Sequence, residues 1–237
     1  MHIKLQRIEK IYRDADGPVV SGVSYTFEGG TFTALMGRSG SGKSTLLNIM
    51  SGITQPTSGQ VFYDDTDIFS ISDRERSKIR AQTTSTIFQD YNLLPFLTAA
   101  ENIELGKRIS KSRHGKISPQ QALEQVGLSK FADKLPNELS GGQCQRVAIA
   151  RAIAVEPDII FADEPTGALD EKNSEIVVNL LKEMANNGVT VIMVTHDPFI
   201  AAASDRVIEL CDGQLERSLD VPSAIAILEV FGHRNRT

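Results

Sequence analysis

A glycine-rich segment followed by lysine and serine has the composition of a phosphate site. The pattern Gly-x4-Gly-Lys-Ser occupies residues 37–44. Glycines let backbone N–H groups curve around phosphate oxygens, and a helix that begins there adds the positive end of its dipole. The lysine of this pattern reaches the β- and γ-phosphates, and the serine ligates Mg²⁺. We therefore predict a site made by Gly37, Arg38, Ser39, Gly40, Ser41, Gly42, Lys43, Ser44 and Thr45.

Two adjacent carboxylates, Asp163 and Glu164, directly follow the apolar residues 159–162. The carboxyl end of such a strand is where ligands of open α/β sheets bind. We expect Asp163 to hold Mg²⁺, directly or through water, and Glu164 to orient and partly deprotonate the water that attacks the γ-phosphate. Alone, a Glu-Pro pair after a strand is usually only a strand end. Its combination with the phosphate pattern favours the catalytic interpretation.

A second glycine-rich segment precedes a predicted helix. Its residues Ser140, Gly141, Gly142 and Gln143 follow Leu139, and a helix N-terminus at this point is another place where an anion can bind. The alternative is a flexible N-cap, with Ser140 as the capping residue. One phosphate loop suffices for one nucleotide, so both interpretations stay open on the residues alone.

The elements that must position these residues alternate between strands and helices. This alternation predicts an α/β fold, with a mainly parallel sheet and crossover helices. The turn signal at 28–30 predicts a β-hairpin between its two flanking strands. Ser72 is the predicted N-cap of a charged helix. Predicted strands are 1–7, 19–27, 31–36, 85–88, 158–162, 189–195 and a closing hairpin at 207–216, and predicted helices are 46–50, 73–81, 99–105, 119–126, 143–155 and 171–187.

Strand signals disappear between residues 90 and 139, which predicts a helical insertion into the α/β domain. We place the whole domain at 1–216 and a tail at 217–237. Val221, Ile225 and Leu228 are spaced like the apolar face of one short amphipathic helix in that tail. Most such tails pack on their own domain; a regulatory or dimer-stabilising role is the alternative.

Composition excludes several classes of protein. The 237 residues carry 25 Lys plus Arg and 30 Asp plus Glu, a net charge of −5, which argues against a broad basic surface for nucleic acid. No apolar run approaches the roughly 18 residues of a membrane-spanning helix, and the first residues lack the apolar stretch of a signal peptide. Two isolated cysteines give neither a disulfide framework nor a metal site. We expect a cytoplasmic protein.

The order of the motifs resembles that of ABC-transporter ATPases across about residues 1–216. The phosphate loop, Gln89, the Leu-Ser-Gly-Gly-Gln segment, Asp163-Glu164, Asp170 and His196 follow one another as in that family. The resemblance implies a P-loop NTPase fold of the ABC type, with an antiparallel β subdomain and a helical subdomain at about 90–139. It also implies ATP and Mg²⁺ as cofactors, and ATP hydrolysis.

The same resemblance implies a head-to-tail homodimer with two sandwiched ATP molecules, each capped by Ser140–Gln143 of the second subunit. Gln89 resembles the glutamine that touches Mg²⁺ or the lytic water. His196 resembles the histidine that contacts the γ-phosphate, and Asp170 an aspartate at the dimer seam. Tyr12 is similar in position to an aromatic residue that stacks on adenine. A structural histidine and ordinary packing of Tyr12 are the alternatives from the residues themselves.

One phosphate loop in one chain without spanning helices is typical of a transporter subunit whose permease is a separate membrane protein. The segments 88–95 and 163–170 look most like the MacB group, which includes drug, peptide and lipoprotein exporters and the FtsE cell-division proteins. We expect an export or resistance ATPase held on the inner face of the membrane by its permease. An FtsE-like regulator of a cell-wall hydrolase and an importer ATPase are alternatives. Residues 91–97 are apolar enough for either a permease contact or a subdomain core.

Overall fold

The computed structural model describes residues 1–13, 16–110 and 117–231. Its strands are β1 (Ile3–Lys10), β2 (Val20–Phe27), β3 (Phe32–Met36), β4 (Ser58–Tyr63), β5 (Thr66–Asp67), β6 (Thr84–Ile87), β7 (Ile159–Asp163), β8 (Thr190–Val194), β9 (Arg206–Cys211) and β10 (Gln214–Asp220). Its helices are α1 (Lys43–Met50), α2 (Asp73–Thr83), α3 (Ala99–Ser110), α4 (Pro119–Gln125), α5 (Gly141–Ala154), α6 (Glu171–Asn186), α7 (Pro198–Ala201) and α8 (Ala224–Phe231). None of these helices is both long and apolar enough to cross a bilayer.

A six-stranded sheet forms the centre of the molecule, in the order β10-β9-β3-β8-β7-β6. All neighbours in it are parallel except β9 and β10. Buried strands with continuous apolar sequences, such as β3 and β8, are typical of parallel sheets covered on both faces. Leu35 pairs with Val194, and Val194 with Asp163, so the carboxyl ends of β3, β8 and β7 lie at one edge. The predicted mainly parallel core is confirmed.

A second, antiparallel sheet has the order β2-β1-β4-β5. The predicted hairpin between β2 and β3 is therefore wrong: β2 pairs with β1, whereas β3 lies between β8 and β9 in the central sheet. The turn at 28–30 connects two layers. Helix α1 fills the space between the sheets, where its Leu46 and Ile49 share one core with Leu5 of β1 and Phe161 of β7.

Helices cover the opposite face of the central sheet. Alternate residues of β3, beginning with Phe32, pack there against α5 and α6. The described residues between 90 and 139 contain no strand, as predicted for the helical insertion. Helix α3 extends to Ser110, beyond its predicted end at 105. The predicted N-cap Ser72 is present, with a complete capping box to Glu75.

The C-terminal part contains the predicted hairpin, but β10 continues to Asp220, past residue 216. Helix α8 follows, and its apolar face is not the predicted one. Val221, Ile225 and Leu228 are 88%, 70% and 51% exposed, whereas Ile227 is 1% exposed. Ile227 and Phe231, four residues apart, pack in the core on the helical side of the sheet. Burial of this other face leaves the predicted stripe in solvent; residues 232–237 of the tail lie outside the described part.

Candidate functional site

The glycine-rich segment forms a loop between the end of β3 and the start of α1. Glycine is required at two of its positions. A Cβ on Gly37 would lie 2.2 Å from the Leu210 carbonyl oxygen, and one on Gly42 would lie 2.4 Å from that of Val19. Both residues have positive φ, which costs glycine little. Gly42 is also the N-cap of α1 and gives no side-chain cap, so the first backbone N–H groups of the helix point into the loop.

The ammonium of Lys43 lies inside this loop. Its Nζ donates hydrogen bonds to the carbonyl oxygens of Gly37, at 2.9 Å, and Arg38, at 2.8 Å. Burial lowers the pKa of Lys43, and this effect is opposed by the charges of Glu164 and Asp163. The lysine therefore occupies an anion-binding loop with only backbone carbonyls as hydrogen-bond acceptors in the described chain. Phosphate oxygens are stronger acceptors for it.

Ser44 and Asp163 meet across the sheet edge. The Ser44 hydroxyl donates to Oδ1 of Asp163 at 3.2 Å. Burial is the largest influence on the pKa of Asp163 and raises it; Glu164 raises it further, while the Ser44 hydrogen bond and the charge of Lys43 lower it. Burial thus disfavours the ionised form of the Asp163 carboxyl group, and a cation bound beside it counteracts this effect. A hydroxyl and a carboxylate at this distance are oxygen donors of the kind that Mg²⁺ binds.

Glu164 and His196 face each other at the ends of β7 and β8. Nδ1 of His196 lies 2.9 Å from both carboxylate oxygens of Glu164. Glu164 has a positive φ of 49°, which takes it out of the strand, and its backbone N–H donates to the Val194 carbonyl at 3.0 Å. The carboxylate is mostly buried and the imidazole is exposed. This pair places a carboxylate that is able to accept a proton next to a side chain that can orient it.

These groups line one cavity of about 680 Å³ at the sheet edge. Its volume lies in the range of pockets for small molecules and cofactors. The predicted site residues that line it are Ser39, Gly40, Gly42, Lys43, Ser44, Thr45, Gln89, Asp163, Glu164 and His196. The sequence did not predict the contributions of Val19, Asp90, Tyr91, Gly167, Ala168 and Val194. Asp90 and Tyr91 follow the predicted Gln89, and Gly167 and Ala168 follow Glu164 within four residues; this proximity along the chain is the signal that could have identified them.

Nine predicted residues lie outside this cavity, and four of them are Gly37, Arg38, Ser41 and Tyr12. Gly37, Arg38 and Ser41 form the other side of the loop and line a separate cavity of about 720 Å³ beside β9. Tyr12 is 43% exposed, and its ring centroid lies 5.0 Å from Nζ of Lys10. A ring so exposed is available for stacking on a planar ligand.

The second glycine-rich segment begins α5. It does not line the cavity, but it lies against Tyr91 and Ala168, which do. Ser140 caps this helix: its Oγ accepts from the N–H of Gln143, whose side chain accepts from the N–H of Ser140. A Cβ on Gly142 would lie 3.3 Å from the Ala168 carbonyl oxygen, and one on Gly141 would lie 2.9 Å from the Tyr91 hydroxyl. Asp170 likewise lies outside the cavity and caps α6 through the N–H of Asn173. Within one chain, these residues therefore have local structural contacts.

The sequence profile of the ABC transporter family matches residues 20–167. This chain belongs to that family. The ABC transporter ATP-binding protein YvrO of Bacillus subtilis is 43% identical over 217 residues, which are 90% of this chain and 95% of the relative. The macrolide export ATP-binding/permease protein MacB of Syntrophobacter fumaroxidans is 41% identical over 222 residues, which are 90% of this chain but 31% of MacB.

A solved structure confirms the fold class. The post-hydrolysis state of the ATP-binding cassette MJ0796 of Methanocaldococcus jannaschii, a dimer bound to ADP and Pi, matches with a TM-score of 0.86 and 40% identity. The match covers 93% of this chain and 99% of that one. The predicted family, fold class and ATPase activity are thus confirmed: the protein is an ABC transporter ATPase that binds and hydrolyses ATP.

Proposed function

We propose that this chain drives a MacB-type exporter by closing as a head-to-tail dimer around two ATP molecules. One observation carries the proposal: phosphate loop, Asp163, Glu164 and His196 converge on one cavity, while Ser140–Gln143 of the same chain lie outside it. A second copy is then needed to bring a glycine-rich helix N-terminus to the nucleotide. The dimeric state of the MJ0796 cassette supports this arrangement.

The donor set of the cavity fits Mg²⁺. Ser44 and Asp163 offer two oxygen atoms 3.2 Å apart, and the amide of Gln89 lines the same cavity. A small hard cation with several waters prefers such ligands. When bound, Mg²⁺ supplies positive charge at the phosphates. Its charge also lowers the pKa of Asp163 and so opposes the effect of burial, which raises this pKa.

Each protein group then has a defined role with ATP. Lys43 exchanges the carbonyls of its own loop for phosphate oxygens. Glu164 accepts a proton from the attacking water, and His196 holds this carboxylate by the 2.9 Å contact. From the second copy, Ser140–Gln143 contact the γ-phosphate and Asp170 lies at the seam. Tyr12, with its exposed ring, stacks on adenine.

The permease binds, in this proposal, at a groove of about 550 Å³ on the helical side of the ATP cavity. Ile53 and Ile109 line it and are 47% and 63% exposed, and Arg80 and Arg151 add positive charge. Leu93 packs in the core while Phe96 is exposed, so the segment 91–97 contributes to both the core and the surface. An amphipathic helix of a membrane subunit fits this chemistry. It would hold the ATPase at the inner face of the membrane.

Glu164→Gln tests the catalytic assignment. The amide keeps the size of the side chain but cannot accept the proton, so we expect turnover to fall at least about a hundredfold while ATP still binds. Size-exclusion chromatography with ATP is expected to show a dimer, because the closed state no longer ends in hydrolysis. Lys43→Ala is the control and is expected to stay monomeric, since it loses phosphate contacts. Wild-type turnover in Glu164→Gln would refute the role of Glu164.

A further inference from the structure

We propose that Arg151 is a positioning residue that fixes the turn after Gln89 and so places the Gln89 side chain in the ATP cavity. The inference rests on the role proposed above for Gln89. In the described ranges the hydrogen bonds of Arg151 go to Tyr91 and Asn92, neither of which is a predicted site residue.

The turn that Arg151 contacts has an unfavourable backbone. Tyr91 and Asn92 have φ values of 61° and 49°, so two consecutive residues other than glycine adopt the left-handed conformation. Asparagine adopts this conformation more readily than most residues, whereas tyrosine keeps it when surrounding groups hold it there. The local hydrogen bonds, from Tyr91 N–H to Phe88 and from Asn92 N–H to Asp90, span only three and two residues. Support from elsewhere in the chain is therefore needed.

Arg151 provides that support from helix α5. Its guanidinium donates to the carbonyl oxygens of both left-handed residues, to Asn92 at 2.6 Å and to Tyr91 at 2.9 Å. Burial lowers the pKa of Arg151, and no carboxylate lies within salt-bridge distance of it in the described ranges. Charged donors make strong bonds to carbonyls. Helix α3 fixes the side chain, because a Cβ on Gly106 would lie 2.8 Å from Cγ of Arg151.

The turn lies between the two cavities. Gln89 and Tyr91 line the ATP cavity, whereas Asn92 and Arg151 line the groove. After the turn, the buried Asn102 holds the chain: its Oδ1 accepts from Leu94 N–H at 2.8 Å, and its Nδ2 donates to Leu97 at 2.9 Å. Arg151 and Asn102 thus hold the chain that follows Gln89. Loss of the Arg151 hydrogen bonds releases the turn, and Gln89 moves with it.

Arg151→Met tests the inference, with Lys107→Met as the matched control. Lys107 of α3 also donates to a backbone carbonyl, that of Ile117, at 2.5 Å, but it lines neither the ATP cavity nor the groove. In the purified ATPase we expect Arg151→Met to lower kcat about tenfold with an unchanged KM for ATP, because Gln89 is misplaced while the phosphate loop is intact. Arg151→Lys keeps one charged donor group, so we expect its kcat to lie between those of Arg151→Met and wild type.

Hydrogen exchange provides a readout that is independent of catalysis. Amides of residues 89–94 are expected to exchange faster in Arg151→Met than in wild type, and at the wild-type rate in Lys107→Met. In an Asn92→Gly background, glycine accepts the left-handed conformation without support, so the effect of Arg151→Met on kcat is expected to shrink.

The inference is overturned if Arg151→Met keeps wild-type kcat, if it raises KM instead, or if Lys107→Met lowers kcat equally. Gln89→Ala separates this failure from that of the proposed site. A wild-type kcat in Gln89→Ala would refute the role of Gln89 itself. If Gln89→Ala has a reduced kcat while Arg151→Met keeps the wild-type kcat, only the positioning by Arg151 is refuted.

Discussion

At the residue scale, burial acts against the charges that the ATP cavity uses. It lowers the pKa of Lys43 and raises that of Asp163, so the charged form of each is disfavoured. Their mutual attraction offsets this only in part, because burial remains the largest influence on both. The cavity is thus arranged for a phosphate and a cation rather than for stability of the free chain. Sites arranged for ligands commonly carry such a cost.

Asp163→Asn is expected to stabilise the protein in the absence of nucleotide and Mg²⁺. The folded chain binds the Asp163 proton more tightly than the unfolded chain, so wild-type stability falls as pH rises from the ordinary aspartate range through the raised pKa. Asparagine has no charge to bury. We expect the Tm at neutral pH to rise by roughly 2 °C, and ATP hydrolysis to be lost with the cation ligand.

Thermal unfolding of Asp163→Asn and Asp158→Asn provides the comparison. Asp158 is exposed and precedes the same strand β7, and its neutral variant is expected to stay within about 0.5 kcal/mol of wild type. A Tm for Asp163→Asn at or below that of Asp158→Asn would contradict the cost assigned to the buried charge.

Residue types and spacing were sufficient to predict the convergence of Lys43, Ser44, Asp163 and Glu164. Each directly follows a strand or begins a helix, and parallel strands end at one edge. The contact of Arg151 with the turn was not predictable in this way. It depends on the positive φ of two consecutive residues, Tyr91 and Asn92; asparagine adopts this conformation more readily than most residues, but tyrosine does not. This backbone strain is determined by the tertiary structure and cannot be predicted from the hydrophobic periodicity of the sequence.

At the element scale, the positions of the strands along the chain were predicted better than the pairing between strands. The turn at 28–30 is a local signal, and a local signal favours a hairpin. The pairing of β3 depends instead on its position in the folded sheet. All its residues from Phe32 to Met36 are buried, as is typical of a central strand in a sheet covered on both faces, and β3 pairs with β8 on one edge and β9 on the other. Similarly, spacing alone suggested the stripe of Val221, Ile225 and Leu228. Which face of a short apolar helix is buried depends on α7, which lies nearby only in the folded chain.

Two isoleucines of α8 test how the tail is held. Ile227 is 1% exposed and Ile225 is 70% exposed, although they are two residues apart on one helix. Ile227→Ala is expected to cost about 2–4 kcal/mol by removing buried methyl groups. Ile225→Ala is expected to cost less than about 0.5 kcal/mol. Urea unfolding measures the global effect and hydrogen exchange of residues 221–231 the local one; equal effects of the two variants would contradict the packing of α8.

At the scale of the whole molecule, each chain carries a phosphate loop and a glycine-rich helix N-terminus, and these two parts of the proposed site lie in different places. Lys43 lies in the ATP cavity, while Ser140 caps α5 outside it and Gly141 packs under Tyr91. A head-to-tail dimer brings the phosphate loop of each copy to the glycine-rich helix of the other. Such an arrangement contains two equivalent sites, and each depends on both chains.

Mixing two inactive variants tests this composite site. Lys43→Ala removes the phosphate contact, and Ser140→Arg blocks the helix N-terminus, so we expect each variant alone to lack ATPase activity. In a mixed dimer, one site combines both defects, while the other combines the intact Lys43 of one chain with the intact Ser140 of its partner. When the two sites act independently, equal amounts are expected to restore about a quarter of wild-type activity with random pairing and about half where only mixed dimers close around ATP. A mixture of Lys43→Ala with Lys43→Arg is the matched control, since no pairing of these chains contains an intact phosphate loop. A mixture of the first pair that is no more active than its separate components would refute a shared site and place the whole reaction within one chain.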